Sequence, residues 1–486
     1  MKTLRQHLED QSDLLLQAIA ANHGLETGAP DPAALAALLT DVEYLQAVLR
    51  QAPAEALAAL HLLQGSPNGL PAAVFQRRFG VIRRFGGGSL QRERPWQQPA
   101  NAAEWLWYRG LLARGFVDTP TGLVDHIAIP TDLLPLLPPA ETSPTPPFPA
   151  PVAAPDVWQE DGDAFLDDLL TLLLYVHQEP VWPDRHGGWS PRDWEAMTRA
   201  WRGAADPPQG GNRAALLLFL ARQLGLMVTR GRRLRLESRA VAAWLAHDRF
   251  AQAQTLFTAW RTATAWNDLC LTPGLVCEPG AWRNDPLLAR TRLLAWLERA
   301  EVGLAYRLDT FLDCLHEHEP DFQRPDGNYE TWYIRDEQGR FLRGFDHWYA
   351  VEGALVRYLW TGPLFWLGAV ALAGDAPAQR WSLTARGAAF LRGEEPASAP
   401  VPPLVVDEDF RIHIPAGASL YDRWRVARMA EWEASRPTFR YRLSRRRLQQ
   451  AVAAGITPER MLAFLVQATN DALPERVRRA LSRFRP

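Results

Sequence analysis

The sequence predicts an α+β fold, mainly α with small β-hairpins, divided among several modules. Apolar residues recur at helical spacing, as in LAALLTDVEYLQAVL near the start of the chain. Short alternating runs around a turn, such as LMVTRGRRLRLE, have the period of hairpins rather than of long strands. Two proline-rich stretches interrupt the pattern and divide the chain into blocks. At 486 residues the chain is too long for one core, so three or four modules are expected. With 47% hydrophobic residues, 22% charged residues and 20 Trp, the composition is that of an ordered protein.

Several function classes are excluded or disfavoured. The opening MKTLRQHLEDQ lacks the plan of a signal peptide, and no apolar run approaches the roughly 18 residues of a membrane span, so a cytoplasmic, nucleoid-associated protein is expected. Cys270, Cys277 and Cys314 form no CxxC pair and are odd in number, which predicts reduced, structural thiols. Cys314, His316, His318 and Glu319 crowd one segment, but their spacing does not put them on one helical face, and HExxH is absent; no metal or other cofactor is expected. Lys2 is the only lysine, so no GxxxxGK[ST] phosphate loop exists and ATP hydrolysis is not expected. The same shortage removes the lysine of PD-(D/E)xK nucleases and Schiff-base chemistry. No acid-base cluster suggests another enzyme.

The net charge is only -2, yet the charges are segregated. Arg77, Arg78, Arg83, Arg84, Arg92 and Arg94 face the single acid Glu93 across 76–94. Nine arginines lie between 423 and 447 against Glu431 and Glu433, whereas Asp156, Glu160, Asp161, Asp163, Asp167 and Asp168 form an acidic stretch without a base. Local phosphate-facing patches would produce such a distribution, and so would solvated helix faces written in arginine.

The block at 1–138 holds a helical region and then a helix, a helix, a strand, a turn and a strand, ending in DTPTGLVDHIAIP. A Pro-rich linker is expected at 139–156. Residues 157–250 repeat the plan, with helices near Phe165–His177, Pro191–Trp201 and Arg213–Leu224 and a hairpin turning at Arg230-Gly231. Residues 251–393 repeat it again, closing with WLGAVAL and RWSLTARGAAFL, before a second linker at 394–403. This is the plan of tandem winged helices. A winged helix lays one helix in the major groove while arginines on its hairpin touch phosphate. The candidate DNA-binding residues are therefore Arg77, Arg78, Arg83, Arg84, Arg213, Arg230, Arg232, Arg233 and Arg235. Gly86-Gly87-Gly88 reads as a turn, and Trp105, Trp107 and Tyr108 as core rather than stacking platforms.

The most specific pattern spans 404–486. LVVDEDFRIHIP reads as a strand, YDRWRVARMAEWEA as a helix, and FRYRLSRRRLQQAVAAGITPERMLAFLVQATNDALP as a strand and two helices. Asp409-Phe410, Arg428 with Glu431, Tyr441-Arg442-Leu443-Ser444, Ala454-Gly455 and Pro474 match in order the steps of the N-terminal domain of XPB-type helicases, which this segment resembles. The resemblance covers about a sixth of the chain and lacks any following motor. It implies an α/β domain that engages DNA in repair, transcription or defence. From the residues themselves, Arg440, Arg442, Arg445, Arg446 and Arg447 run along a strand into a helix N-terminus, an arrangement that suits a phosphate. The expected function is a non-catalytic DNA-binding accessory protein acting on duplex or forked DNA beside a helicase or nuclease. The alternative is a protein-interaction scaffold that docks such a partner without touching DNA.

Overall fold

Local signals in the first 64 residues start helices at closely spaced caps. Thr3 and Gln6 form a capping box, while Ser12, Asp31 and Asp41 each accept a first-turn N–H. The computed structural model describes residues 2–25, 31–66, 68–119, 122–139, 146–183, 189–203, 212–280, 282–375, 378–394 and 400–485. The chain forms two units: one holds 1–147, 321–332 and 343–346, and the other holds 148–320, 333–342 and 347–486. Among the described residues no single helix is long and apolar enough to cross a membrane.

The first unit begins with α1 (Leu4–Glu9), α2 (Asp13–Asn22), α3 (Pro32–Leu39), α4 (Val42–Arg50) and α5 (Ala54–Gln64). Leu4, Leu8, Leu35, Leu39, Leu45 and Leu60 bury into one core. Next come β1 (Leu70–Pro71), α6 (Ala72–Phe79), α7 (Gly87–Glu93), α8 (Ala102–Trp107), β2 (Ala113–Thr119) and β3 (Gly122–Ala128). The sheet order is β1-β3-β2, with Leu70 opposite Ile127. Residues 321–332 complete this unit from far along the chain: Gly327, at φ +66, sits so close to α6 that a Cβ there would meet Val74 at 2.5 Å.

The second unit opens with α9 (Gly162–Gln178), α10 (Pro191–Thr198), α11 (Asn212–Gln223), β4 (Met227–Arg230) and β5 (Arg233–Leu236). The N–H of Leu234 donates to Val181 at 3.0 Å, so Val181 takes the place that β1 holds in the first sheet. There follow α12 (Ser238–Leu245), α13 (Arg249–Arg261), β6 (Val276–Cys277), α14 (Pro286–Glu298), β7 (Tyr306–Arg307), α15 (Leu308–His318) and β8 (Ile334–Arg335). Then come α16 (Trp348–Thr361), α17 (Pro363–Trp366), β9 (Val370–Ala373), β10 (Arg380–Leu383) and α18 (Ala385–Arg392). β6 pairs with β8, and the other three strands lie in the order β7-β10-β9. A related succession therefore occurs three times: helix, short extended segment, two or three helices and a hairpin whose last strand pairs with the short segment, with β8 interposed in the third.

The remainder comprises β11 (Val405–Val406), β12 (Arg411–Ile414), α19 (Leu420–Ala427), β13 (Glu431–Ala434), β14 (Phe439–Arg442), α20 (Arg445–Ala453), α21 (Pro458–Ala468) and α22 (Glu475–Ser482). Its antiparallel sheet runs β11-β12-β14-β13. The chain is thus α+β with small antiparallel sheets, as its sequence patterns indicate.

Three sequence expectations are corrected. YDRWRVARMAEWEA is not one helix: it leaves helix at Ala427, and Glu431–Ala434 becomes β13, where Trp432 faces Tyr441 across the pair. Cys270 and Cys277 are not reduced but joined in a disulfide, because the intervening turn brings their Cα atoms to 5.4 Å. The Pro-rich stretch at 139–156 is not a spacer throughout. Residues 140–145 lie outside the described residues, but Phe148 packs its ring among Trp296, Tyr306 and Phe311, and Val152 bridges Ala305. Within the stretch at 394–403, residues 395–399 also lie outside the described residues.

The acidic stretch at 156–168 is the ionic hub of the second unit. Asp161 and Asp168 hold Arg213 at 2.7 and 2.8 Å. Asp167 receives Arg202 at 2.9 Å and Arg249 at 3.2 Å, while Asp163 receives Arg249 and Arg386 at 3.3 and 2.9 Å. Arg423 of α19 donates to the Asp167 carbonyl at 2.7 Å and lies over the Phe439 ring. Burial opposes the Arg213 charge, but Asp168 and Asp161 outweigh it and raise its pKa.

Arg213→Ala would leave two interior carboxylates without their guanidinium. The second unit should lose roughly 3–5 kcal/mol, read as an earlier urea transition with the first unit's transition unmoved.

In the first unit, burial lowers the pKa of His7 to about 4, with Lys2 adding to the effect, and His23 shifts in the same direction through burial. The folded unit therefore resists a proton that the unfolded chain accepts at its ordinary 6.5. Stability is full above that pH and declines as pH falls toward 4, by up to roughly 3 kcal/mol from His7. Thermal melts between pH 7 and 4 should show this decline, and His7→Leu should flatten it.

Candidate nucleic-acid interface

The β4–β5 hairpin carries three exposed arginines, Arg230, Arg232 and Arg235. Its turn residues are Gly231 and Arg232, one position later than the Arg230-Gly231 turn read from the sequence, and Gly231 adopts φ +63. A two-residue turn with glycine first matches the twist of a tight hairpin. Strand alternation puts Met227, Thr229, Leu234 and Leu236 on one face, with Leu234 fully buried. Val228, Arg230, Arg233 and Arg235 share the other face, and Arg230 lies directly opposite Arg233. Like charges in that position repel. Arg230 is offset by Glu237 at 2.5 Å, but Arg232, Arg233 and Arg235 have no carboxylate partner among the described residues. Arg233 lies over the ring of Trp182, which is 57% exposed beside the hairpin. The hairpin thus presents a cationic edge with an exposed indole next to it.

The other candidates divide by what already satisfies them. Arg213 is 3% exposed inside the ionic hub, so the sequence assignment to a DNA-facing helix is corrected. Arg77 is held by Asp321 at 2.7 Å and lies over the Tyr329 and Phe345 rings, so it ties these later residues to α6. Arg83 grips the fully buried Glu104 through Nε and Nη2 at 2.6 and 2.7 Å. Burial pushes the Glu104 carboxyl up, but Arg83 and the N–H groups of Ala100 and Arg83 bring it below its ordinary range. These two arginines are structural in the first unit. Arg78 lies over the Phe79 ring and is exposed, as is Arg84.

At the C-terminal sheet, Glu433 draws Arg440 at 3.1 Å, Arg411 at 3.3 Å and Arg442 at 3.8 Å. Glu431 takes the Ser444 hydroxyl at 2.9 Å and Arg446 at 3.1 Å, and these two donors hold its carboxyl below the usual range. Arg447 donates to Gln178 at 3.0 Å. Arg445, at the first position of α20, is exposed and has no ion pair among the described residues. The predicted five-arginine phosphate site is therefore largely neutralised by two glutamates.

The helices that would lie in a groove are core elements. α11 buries Arg213, Ala214, Leu216, Leu217, Leu220 and Ala221; α16 buries most of its length from Trp348 to Trp360, leaving the face of Ala350, Ala354, Arg357 and Thr361 less covered; and α8 buries Ala102 to Leu106. Any approach to phosphate falls to hairpins and loop edges. Among the described residues no group of three His, Cys, Asp or Glu could hold a metal ion. Sequence reading missed Trp182, whose partner Arg233 lies 51 positions away, and the hub, whose acids looked like a surface patch.

Neither a protein-family model nor a curated protein matches the sequence.

Glu433→Gln would free Arg440 and Arg442 at once and leave Arg411 with Asp409. Retention of the protein on heparin should shift to higher salt, while the thermal midpoint should move little, because exposed ion pairs contribute only about 0–1 kcal/mol each.

Proposed function

We propose that the chain is a non-catalytic DNA-binding accessory protein that holds duplex or forked DNA by its phosphates beside a helicase or nuclease. The observation that carries this reading is the β4–β5 hairpin, where Arg230 and Arg233 oppose each other and Arg232 and Arg235 extend the charge. A phosphate backbone would relieve that repulsion. The threefold succession of helix, extended segment, two or three helices and hairpin supports tandem winged helices. Tyr441-Arg442-Leu443-Ser444, Ala454-Gly455 and Pro474 support the XPB-type resemblance, whereas Arg428 and Glu431 do not share the one helix that it implies. Asp409 and Phe410 lie at the β11–β12 turn, Arg428 ends α19, Glu431 starts β13, and Tyr441-Arg442-Leu443-Ser444 leads from β14 to the cap of α20. Ala454-Gly455 follows α20, and Pro474 precedes α22. Because α8, α11 and α16 are core, the proposed mode reads backbone rather than bases, so sequence preference is weak.

A second reading, the scaffold, is favoured by the β2–β3 hairpin. There Phe116 and Leu123 are 68% and 70% exposed next to Asp118, and Arg114 is paired to Asp125. Such an apolar and acidic surface suits a protein partner better than phosphate.

The two readings are separated by anisotropy titration of a labelled duplex with wild type and with Arg232→Ala/Arg235→Ala. Both side chains are exposed, so folding should be unaffected. Binding should weaken across sequences, and the slope of log affinity against log salt should become shallower by about one for each phosphate that is no longer neutralised. Unchanged affinity and slope would assign the hairpin to another role and favour the scaffold.

A further inference from the structure

The resemblance-bearing segment contains a feature that its arginine count does not reveal. A cavity of about 520 Å³ opens between the β11–β12 turn, α20, α22 and the residues after α22. Its apolar floor includes Leu448 and Leu481, its rings are Phe410 and Phe484, and its cations are Arg445, Arg483 and Arg485. Among the described residues no side-chain carboxylate lines it. The acids of α22 and of the loop before it are taken up elsewhere: Asp471 and Glu475 pair with Arg478, and Glu475 also pairs with Arg479. Glu459 feels the charge of Arg485 but is not part of the wall.

Phe410 adopts φ +65, a conformation that bulky side chains avoid. Its carbonyl accepts the Leu443 N–H at 2.9 Å and its N–H donates to the Asp407 carbonyl at 3.2 Å, so the turn is fixed. Phe410 is only half-buried, so its burial gives little return for the left-handed backbone. The positive end of α20 adds to the Arg445 charge at the cavity wall.

We propose that this cavity binds one unpaired nucleotide of a nucleic-acid strand, with the base against Phe410 and Phe484 and the phosphate held by Arg445, Arg483 and Arg485. The volume suits a ligand of that size. Phenyl rings beside guanidinium groups are the combination that captures single strands, since every base has a stacking face and every link a phosphate. The inference rests on the nucleic-acid reading above but uses none of the hairpin residues, so the two can fail separately.

The test titrates the full chain with fluorescein-labelled ten-residue oligothymidylate and, separately, with a blunt duplex. Wild type should bind the single strand. Phe410→Leu, which keeps an apolar side chain at the turn, should weaken single-strand binding by about tenfold and leave duplex binding unchanged. Arg445→Gln/Arg483→Gln should do the same and reduce the salt dependence. Arg232→Ala/Arg235→Ala should show the reverse pattern. Thermal midpoints of the variants must match wild type; Phe410→Ala is the second variant if Phe410→Leu alone misfolds. Failure of wild type to bind oligothymidylate would overturn the proposal whatever the duplex does, as would single-strand affinity unchanged in both cavity variants. Equal competition by a ten-residue glutamate peptide would also overturn it and reassign the cavity to acidic protein segments. If instead the duplex alone is not bound, the hairpin reading fails and this one stands.

Discussion

The second unit depends on a row of carboxylates at the start of one helix. Asp161, Asp163, Asp167 and Asp168 collect Arg202, Arg213, Arg249, Arg386 and Arg423, which come from five separate parts of the chain. Ions moved out of water cost several kcal/mol each unless well matched, so an arrangement that seats every guanidinium against a carboxylate is sharply preferred over one that misses by a turn. Hydrophobic burial draws these helices together without choosing among similar registers; the ion pairs supply that choice. The same device recurs at Asp268, which holds Arg290 in the interior with the Trp260 and Trp266 indoles, and at Glu104 with Arg83. An arginine-rich chain thus places some of its positive charge indoors, at Arg213, Arg290, Arg324 and Arg423.

This explains what could be read from the sequence. Periodicity is a local property, so α9, α10, α11 and the β4–β5 hairpin emerge within a few residues of their ends. Pairing is not local. Asp156 to Asp168 carry no signal of the arginines that meet them, because those lie as far as Arg423, and an acidic run with no base nearby resembles a solvated surface. The short segments at Leu70–Pro71, Val181 and Tyr306–Arg307 were likewise invisible: two residues cannot show an alternation, although each completes a sheet. Arg213 failed as a candidate for the same reason that Arg232 kept its place. Charge is legible in sequence, whereas the counter-charge depends on the fold.

Burial of α8, α11 and α16 separates two properties that the succession of elements normally joins. The helix that reads bases in a winged helix must leave one face polar and free, yet α11 is apolar almost all round and α16 is buried along most of its faces. What remains outside is the hairpin, with its like charges, and the cavity beside Phe410. Under the proposed function both would meet features that every nucleic-acid strand has in common, and neither offers the amide or carboxylate pattern by which one base pair is told from another.

The chain leaves the second unit after Pro320, supplies Asp321–Trp332 to the first, and returns. Arg77 and Asp321 are 244 positions apart, so during synthesis α6 emerges long before its partner segment. At ribosomal rates of roughly 5–20 residues per second, the interval is on the order of ten to fifty seconds. Throughout that time the Arg77 guanidinium and the bed prepared for Gly327 face solvent, and the N-terminal region exists as an incomplete body. The usual order of domain maturation, first made and first finished, is therefore suspended here: the first unit cannot close until the chain has been made as far as Asp346.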